Sequence, residues 1–383
     1  MTNIEWFEKL VGTENVSDEI VDREVYSTDA SQIKGKTDKV VWVTDAKQIN
    51  QIIHYCRRHK KNIIPRGAGT SFVGSTVPFD SIVLDFSRMN KIEQIGKDYV
   101  VVEPGVVLDD LNNALKDRFF PIIPEDSAVC TIGGMCAINS SGIYEKKFGK
   151  MKDWVIDIDM IDGNGKLRRY SSEILGTEGT IGVFTKIKLK ITAKINENSM
   201  DLLKFDKIED IIEKITALKN NDEAIAIEYI NRFASTLVGL DAKHYLIIEY
   251  SSFEGDIKDI NDIERIWKIR KKVFNKLAQA DYILMEDPFV PLENMTEFLY
   301  WLERNQIPCF GPIGASVLHP CFKDREAIKE LIEAVNKLNG HFGTRFGLGL
   351  LKKDTLNKIR QHELLIMKAQ FDPFNILNKD KLI

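Results

Sequence analysis

IIPRGAGTSFVG, residues 63–74, decides the fold: an apolar strand runs into Pro65 and is followed by the small residues Gly67, Ala68, Gly69, Thr70 and Ser71. Glycine reaches positive φ without strain, and small side chains let a ligand approach the main chain. Successive N–H groups of such a run can therefore converge on an anion, a diphosphate above all. The loop alone also fits a tight turn after a strand. Its GxGxxxxG spacing departs from the GxGxxG of a dinucleotide fold, and no acidic ribose-binding residue follows at the required distance. Gly35-Lys36-Thr37 is no Walker loop either, because Ala30 stands where its first glycine belongs.

Two further loops strengthen the ligand reading. PEDSAVCTIGGMCAINSSG (124–142) sets Thr131, Ile132, Gly133 and Gly134 at an expected helix start, where unpaired N–H groups and the helix dipole favour a phosphate. LGTEGTIGVFTKIKL (175–189) leads Gly176, Gly179 and Gly182 into an alternating strand. Around them VVWV (40–43), INQIIHYCRRHK, NIIP (62–65) and SIVLDF (81–86) read as strand, helix, strand, strand. EQIGKDYVVVEPG and WVIDIDMIDGNGKLRRY read as hairpins, the second turning at Asp162-Gly163-Asn164-Gly165.

Beyond about residue 195 the texture changes to charged amphipathic helices, DKIEDIIEKITALKNN and DREAIKELIEAVNKLNG, mixed with the strands EAIAIEYI and HYLIIEYSSF. That mixture predicts a separate α+β cap. LLKKDTLNKIRQHELLIMKAQFDPFNILNKDKLI reads as one helix stopped by Asp372-Pro373, then a short tail. The expected domains are 1–195, 196–340 and a C-terminal segment 341–383 that returns to the first.

The 383 residues suit two domains, and 53 basic against 57 acidic side chains (net charge −4) give no electrostatic footprint for nucleic acid. The N-terminus is acidic and amphipathic, unlike a signal peptide, and no apolar run is long enough for a transmembrane helix. The five scattered cysteines suggest neither a disulfide framework nor a cysteine-ligated cluster. A cytoplasmic protein is expected, with peripheral membrane association left open.

DASQIKGKTDKVV, IIPRGAGTSFVG, FPIIPEDSAVCTIGGMCAINSSG, KFGKMKDWVIDIDMIDGNG, LGTEGTIGVFTKIKL and FDPFNILNKDK together resemble the FAD-linked oxidases, whose flavin domain is of the vanillyl-alcohol oxidase and p-cresol methylhydroxylase type. The resemblance runs from about residue 25 to the C-terminus. It implies an α+β fold, with a two-subdomain FAD-binding domain and an α+β substrate cap. It also implies FAD bound by Pro65, Arg66, Gly67, Ala68, Gly69, Thr70, Ser71, Gly74, Pro124, Thr131, Gly133, Gly134, Ser140, Gly142, Glu178, Gly179, Ile181, Val183 and the tail residue Asn378. The first loop lacks the His or Cys of covalently flavinylated relatives, so the FAD is expected to be noncovalent.

Within the family, WKIRKKVFNKL (267–277) and ILMEDPFVPLENMTEFL (283–299) resemble the cap motifs of D-lactate, glycolate and D-2-hydroxyglutarate dehydrogenases, with Arg270 matching the arginine that grips the substrate carboxylate. Without that match, a surface pairing with Glu264 is the simpler reading of Arg270. The chain departs from the family where relatives carry GHxGDGNLH and GEHG. GPIGASVLH (311–319) puts Pro312, Ala315 and Val317 in place of polar residues and keeps His319, while TRFG (344–347) puts Arg345 and Phe346 where glutamate and histidine belong.

One histidine does not make a metal site, and a site rebuilt from His319, Cys321 and His341 lacks support, so no metal is expected. Two functions follow. In the first, the chain is a 2-hydroxy-acid dehydrogenase that passes hydride to flavin N5, with His319 as base and Arg270 and Arg345 as cations. In the second, it is a flavin-carrying relay subunit whose own chemistry has lapsed. Without a nicotinamide fingerprint, reoxidation calls for a quinone, an electron-transferring flavoprotein or an iron-sulfur subunit. A transferase like the alkylglycerone-phosphate synthases fits less well, since those chains are longer.

Overall fold

The computed structural model describes residues 3–343 and 345–383. The chain divides into two compact units. One comprises residues up to Ser140 with Lys150–Ala193 and Arg345–Ile383; the other comprises Ser141–Gly149 and the chain from Lys194 onward to residue 344.

In the first unit the strands Lys36–Trp42 and Asn62–Arg66 both run parallel to Phe79–Asp85, which lies between them. Such strands need a crossover, and the helix Ala46–His59 supplies it. Asp45 caps that helix by accepting from the Gln48 N–H at 2.8 Å. Ile49, Ile52, Ile53 and Cys56 recur at helical spacing and are buried in a core with Val41, Ile63, Ile82 and Leu84. A second, antiparallel sheet orders Ile92–Ile95, Tyr99–Val102, Gly182–Lys190, Val155–Asp162 and Leu167–Tyr170. Its last hairpin turns where expected: Asp162 Oδ1 accepts from Asn164 N at 2.8 Å and Lys166 N at 2.9 Å, and Gly165 takes φ +79°.

The C-terminal segment is shorter in helix than its sequence suggests. The helix spans Lys358–Phe371 and starts at Asn357, whose Oδ1 accepts from Arg360 N at 2.8 Å. The tail after Asp372 then lies along the strand Asn62–Arg66. Ile63 N–H donates to Ile376 O at 2.7 Å, and Asn378 N–H donates to Ile63 O at 2.8 Å.

The second unit is an antiparallel sheet ordered Ser199–Phe205, His244–Tyr250, Ala224–Ile230, Cys309–Gly311, His319–Phe322 and Leu284–Met285. One face, with Ile227, Tyr229, Leu246, Ile248, Cys309 and Leu318, is buried under the helices Ile208–Leu218, Leu292–Arg304 and Glu326–Lys337. Period-two alternation sends Glu228, Glu249, Phe310 and His319 to the opposite face. There the helix Ile260–Gln279 meets them, through Arg270 on Glu228 and Trp267 Nε1 on Glu249 at 3.0 Å.

The sequence carries the first domain unbroken to residue 195, whereas the structure groups Ser141–Gly149 with the second unit. Lysine tethers explain the grouping. Lys146 Nζ donates to Asn221 O at 2.6 Å and Lys147 Nζ to Asp222 O at 2.7 Å, just before the strand Ala224–Ile230.

Candidate functional site

Two loops of the first unit meet at Gly67. A Cβ on that residue would lie 2.2 Å from Thr131 Oγ1, so only glycine lets the loops come so close. Gly69 takes φ +72°, and its Cβ would lie 2.2 Å from Arg66 Nη2. Arg66 is therefore packed under the loop. Its Nη1 donates to Thr28 O at 2.7 Å and its guanidinium sits 5.1 Å from the Tyr26 ring centre. Tyr26 is fixed in turn, donating to Asp85 Oδ2 at 2.8 Å and accepting from Trp42 Nε1 at 3.1 Å. Burial, helped by the Asp85 carboxylate, pushes the Tyr26 hydroxyl up to about 12.

Above Arg66, the main-chain N–H groups of Gly67, Ala68, Gly69, Thr70 and Ser71 meet no acceptor among the described residues. The loop is partly exposed, not buried. Five adjacent donors over a buried cation fit an anionic group such as the diphosphate of FAD. Across from them the Thr70 side chain hydrogen-bonds Asp126, and burial raises that carboxyl's pKa.

The second loop is a helix start as expected, with Thr131 as cap of Ile132–Ile138. Its N–H groups, however, are spent inside the fold. Ile132 donates to Val106 O at 2.9 Å, Gly133 to Pro104 O at 2.8 Å and Gly134 to Thr131 Oγ1 at 3.3 Å. The N–H groups of Ile132, Gly133 and Gly134, expected to face a phosphate, are therefore engaged within the fold, and this segment lines the first loop. Pro124 is half-buried and Ser140 buried, while Gly142 belongs to the second unit.

Glu178 and Asn378 act as staples. The Glu178 backbone takes φ +50°. Its buried carboxylate accepts from Ser75 Oγ and Leu348 N, both at 2.7 Å, and from Gly349 N at 3.0 Å. Asn378 Nδ2 donates to Ser75 O at 2.9 Å and Glu178 O at 2.6 Å. Together they tie the 67–76 loop, the 176–181 loop and the C-terminal segment into one body. Gly74 and Gly179 take φ +77° and +71° at close approaches to Ile33 and Pro65, while Ile181 and Val183 are core residues.

In the second unit, Arg270 and His319 both pack against Phe310. The Arg270 guanidinium lies 4.5 Å from the Phe310 ring centre, and the Phe310 and His319 ring centres are 5.5 Å apart. The partner of Arg270 is neither exposed nor Glu264: its Nε donates to Glu228 Oε2 at 2.6 Å, and both side chains are buried. Glu264 instead pairs with Lys268 at 3.4 Å on the helix surface. The sequence reading missed Glu228, although a glutamate inside the otherwise apolar AIAIEYI was a visible signal. His319 Nδ1 lies 3.2 Å from Glu286 O. A carbonyl only accepts, so Nδ1 carries the hydrogen and the neutral ring's basic lone pair is on Nε2.

Arg345 and Phe346 belong to the first unit, where Arg345 is buried and Phe346 packs 5.3 Å from Phe72 of the glycine loop. Thr344, which opens the TRFG stretch, lies outside the described residues. His341 is exposed, its ring tilted against Phe289 with centres 4.8 Å apart, and no group of three or more His, Cys, Asp or Glu suited to a metal occurs among the described residues. The cysteines are buried thiols, and burial pushes Cys56 up to about 12.

A parallel-strand unit with an anion-ready glycine loop, in a chain whose second unit is an antiparallel sheet under helices, fits a flavin-dependent oxidoreductase. The comparisons agree. Residues 37–171 match the FAD binding domain and residues 251–382 match the C-terminal domain of FAD linked oxidases. The chain belongs to the FAD-linked oxidase family, and its cofactor is FAD.

Among its relatives, glycolate oxidase subunit GlcD of Bacillus subtilis (strain 168) is 28% identical, covering 97% of this chain and 94% of that one. The mitochondrial D-2-hydroxyglutarate dehydrogenase of Arabidopsis thaliana is 22% identical over 100% of this chain and 81% of its own. The D-lactate dehydrogenase of Archaeoglobus fulgidus is 22% identical over 90% and 91%. An alkyldihydroxyacetonephosphate synthase structure shares the fold, with TM-score 0.74 and 15% identity over 100% of this chain and 85% of that one. No helix among the described residues is long and apolar enough to cross a membrane.

Proposed function

We propose that the protein oxidises a small 2-hydroxy acid of the D-lactate or glycolate kind, with noncovalent FAD and no metal. The observation that carries the reading is the contact that Arg270, from the helix Ile260–Gln279, and His319, from the sheet, both make with Phe310. FAD would be held by the free N–H groups of Gly67–Ser71 above Arg66, and the chemistry it supplies when bound is acceptance of hydride from the substrate's α-carbon.

The chain's own residues bind and deprotonate. Arg270, oriented by Glu228, holds the carboxylate, and Nε2 of His319 takes the hydroxyl proton. Arg345 is assigned to the same reaction on its charge, as a cation in place of a metal. Electrons then leave to a quinone, an electron-transferring flavoprotein or an iron-sulfur subunit.

A second reading, a flavin-carrying relay subunit without its own oxidation chemistry, is favoured by one contact: a carboxylate from inside the chain, Glu228, already sits on Arg270. Anaerobic mixing of the yellow protein with D-lactate, glycolate and D-2-hydroxyglutarate separates the two. Bleaching of the flavin band by one of these acids is the expected result. Full FAD occupancy with no bleaching by any of them assigns the relay role.

A further inference from the structure

Lys381 is a fully buried lysine that the proposed chemistry does not use. Its ammonium donates to Asn378 Oδ1 at 2.9 Å and lies 5.5 Å from the Phe79 ring centre. No carboxylate of the described residues comes within ion-pair distance of it. The charges that face it are Asp29, from the loop after the helix Ile20–Val25, Glu178, from the loop before Gly182–Lys190, and Asp380 of its own tail.

Two of those carboxylates are engaged elsewhere. Asp29 accepts from Ser31 N at 3.0 Å and from Thr76 N and Oγ1 at 3.2 Å, and Glu178 accepts from Ser75, Leu348 and Gly349. A buried cation without a contact counter-ion is costly unless something else supplies the negative charge. Burial, opposed by Asp29, Asp380 and Glu178, brings the Lys381 ammonium down to about 8.

Its position shows what could supply that charge. Asn378, the acceptor of Lys381, holds Ser75 O, and Asp29 holds Thr76, so the ammonium is bonded into the base of the loop whose Gly67–Ser71 N–H groups meet no acceptor. Unmet donors on the loop and an uncompensated cation at its base are both completed by one anionic ligand. We propose that Lys381 is a positioning residue for the cofactor: the FAD diphosphate stabilises its charge through the 67–76 loop, and retention of FAD therefore depends on its protonation.

The linkage has a definite sign. An anion that raises the Lys381 pKa must, by reciprocity, bind the protonated form more tightly. Affinity for FAD thus falls as pH rises through about 8, by up to about tenfold per unit. The cofactor-free protein behaves oppositely. Its folded lysine titrates below the ordinary 10.5, so the unfolded chain binds more protons between about 8 and 10.5 and stability rises with pH across that window.

The test is titration of FAD-stripped protein with FAD, followed by flavin fluorescence quenching between about pH 7 and about pH 9, with the thermal midpoint of the FAD-free protein measured alongside. The wild type should weaken several-fold or more across that range. Lys381→Met should bind about tenfold more weakly at the lower pH and show no such slope, while its FAD-free midpoint equals or exceeds that of the wild type. Lys381→Arg should bind tightly with a flat profile, since arginine stays charged. Wild-type affinity in Lys381→Met, or the same slope in both proteins, overturns the proposal. So does an FAD loss matched by an equal loss of FAD-free stability, the mark of a merely structural lysine. If Lys381→Met fails to fold, a wild-type profile that is flat between about pH 7 and about pH 9 overturns it alone.

Discussion

GAGTSFVG at 67–74 and GPIGASVLH at 311–319 are both glycine-bearing segments next to strands, and they carry different kinds of chemistry. The first offers main-chain N–H groups, which any sequence supplies so long as small residues keep the approach open. The second is where the family resemblance leads one to expect side-chain ligands, and here Pro312, Ala315 and Val317 stand beside a single imidazole, His319. A site made of backbone survives drift in side chains. A site made of side chains can be dismantled by a few substitutions on an intact sheet, because Cys309–Gly311 and His319–Phe322 still pair.

The comparison breaks most directly at His319. If the surviving imidazole is the base, His319→Ala should slow flavin bleaching by a 2-hydroxy acid by about 10²- to 10⁴-fold while FAD occupancy stays full. An unchanged rate in stopped-flow absorbance would mean that the second segment has lost its chemistry altogether, leaving only the backbone site at work.

Close behind comes the pair that holds Arg270. Glu228→Gln removes one buried carboxylate from the Arg270 guanidinium and should cost about 3–5 kcal/mol in urea unfolding. Replacing both partners with methionine should cost far less, since two apolar side chains need no counter-charge. If the single and double variants were equally stable, the pair would not be the buried ionic contact that its 2.6 Å separation indicates.

On the backbone side the matching test is Gly67→Ala. The added methyl would lie 2.2 Å from Thr131 Oγ1, so the two loops must separate, and FAD should bind about 10- to 100-fold more weakly, an overpacking cost of about 1–3 kcal/mol. Thr131→Ala in the same chain removes the clashing oxygen and should restore part of the affinity, less about 1 kcal/mol of helix stability for the lost cap. An unaltered FAD affinity in Gly67→Ala would show that the loop does not hold the cofactor.

What the sequence made legible follows the same division. The strand ending at Pro65, the crossover helix, the hairpin at Asp162 and the role of glycine at 67 and 69 could all be read locally, because period, caps and turn chemistry are local. Partners distant in sequence could not. Thr131 announces a helix start, but nothing near it shows that Pro104 and Val106 have already taken its N–H groups. Glu178 and Asn378 read as cofactor contacts, and nothing in the sequence shows that their polar atoms also reach Ser75, Leu348 and Gly349. Lys381 carries no local sign of burial at all.

Arg270 gives the sharpest case, because its helix carries a decoy. Glu264 and Lys268 stand one turn apart on the solvent face at 3.4 Å, largely exposed, and Arg270 lies on the same helix with its carboxylate on the strand Ala224–Ile230. Sequence spacing favours the first pair, and burial decides for the second. In water the Coulomb gain of an exposed pair is nearly offset by side-chain entropy and screening, so Glu264→Ala should change unfolding free energy by no more than about 0.5 kcal/mol, and less at high salt. The contrast with Glu228→Gln, measured in the same urea titrations, separates the two kinds of ion pair on one helix. A Glu228 effect as small as that of Glu264 would mean that the sheet face beneath Arg270 is as wet as the surface above it.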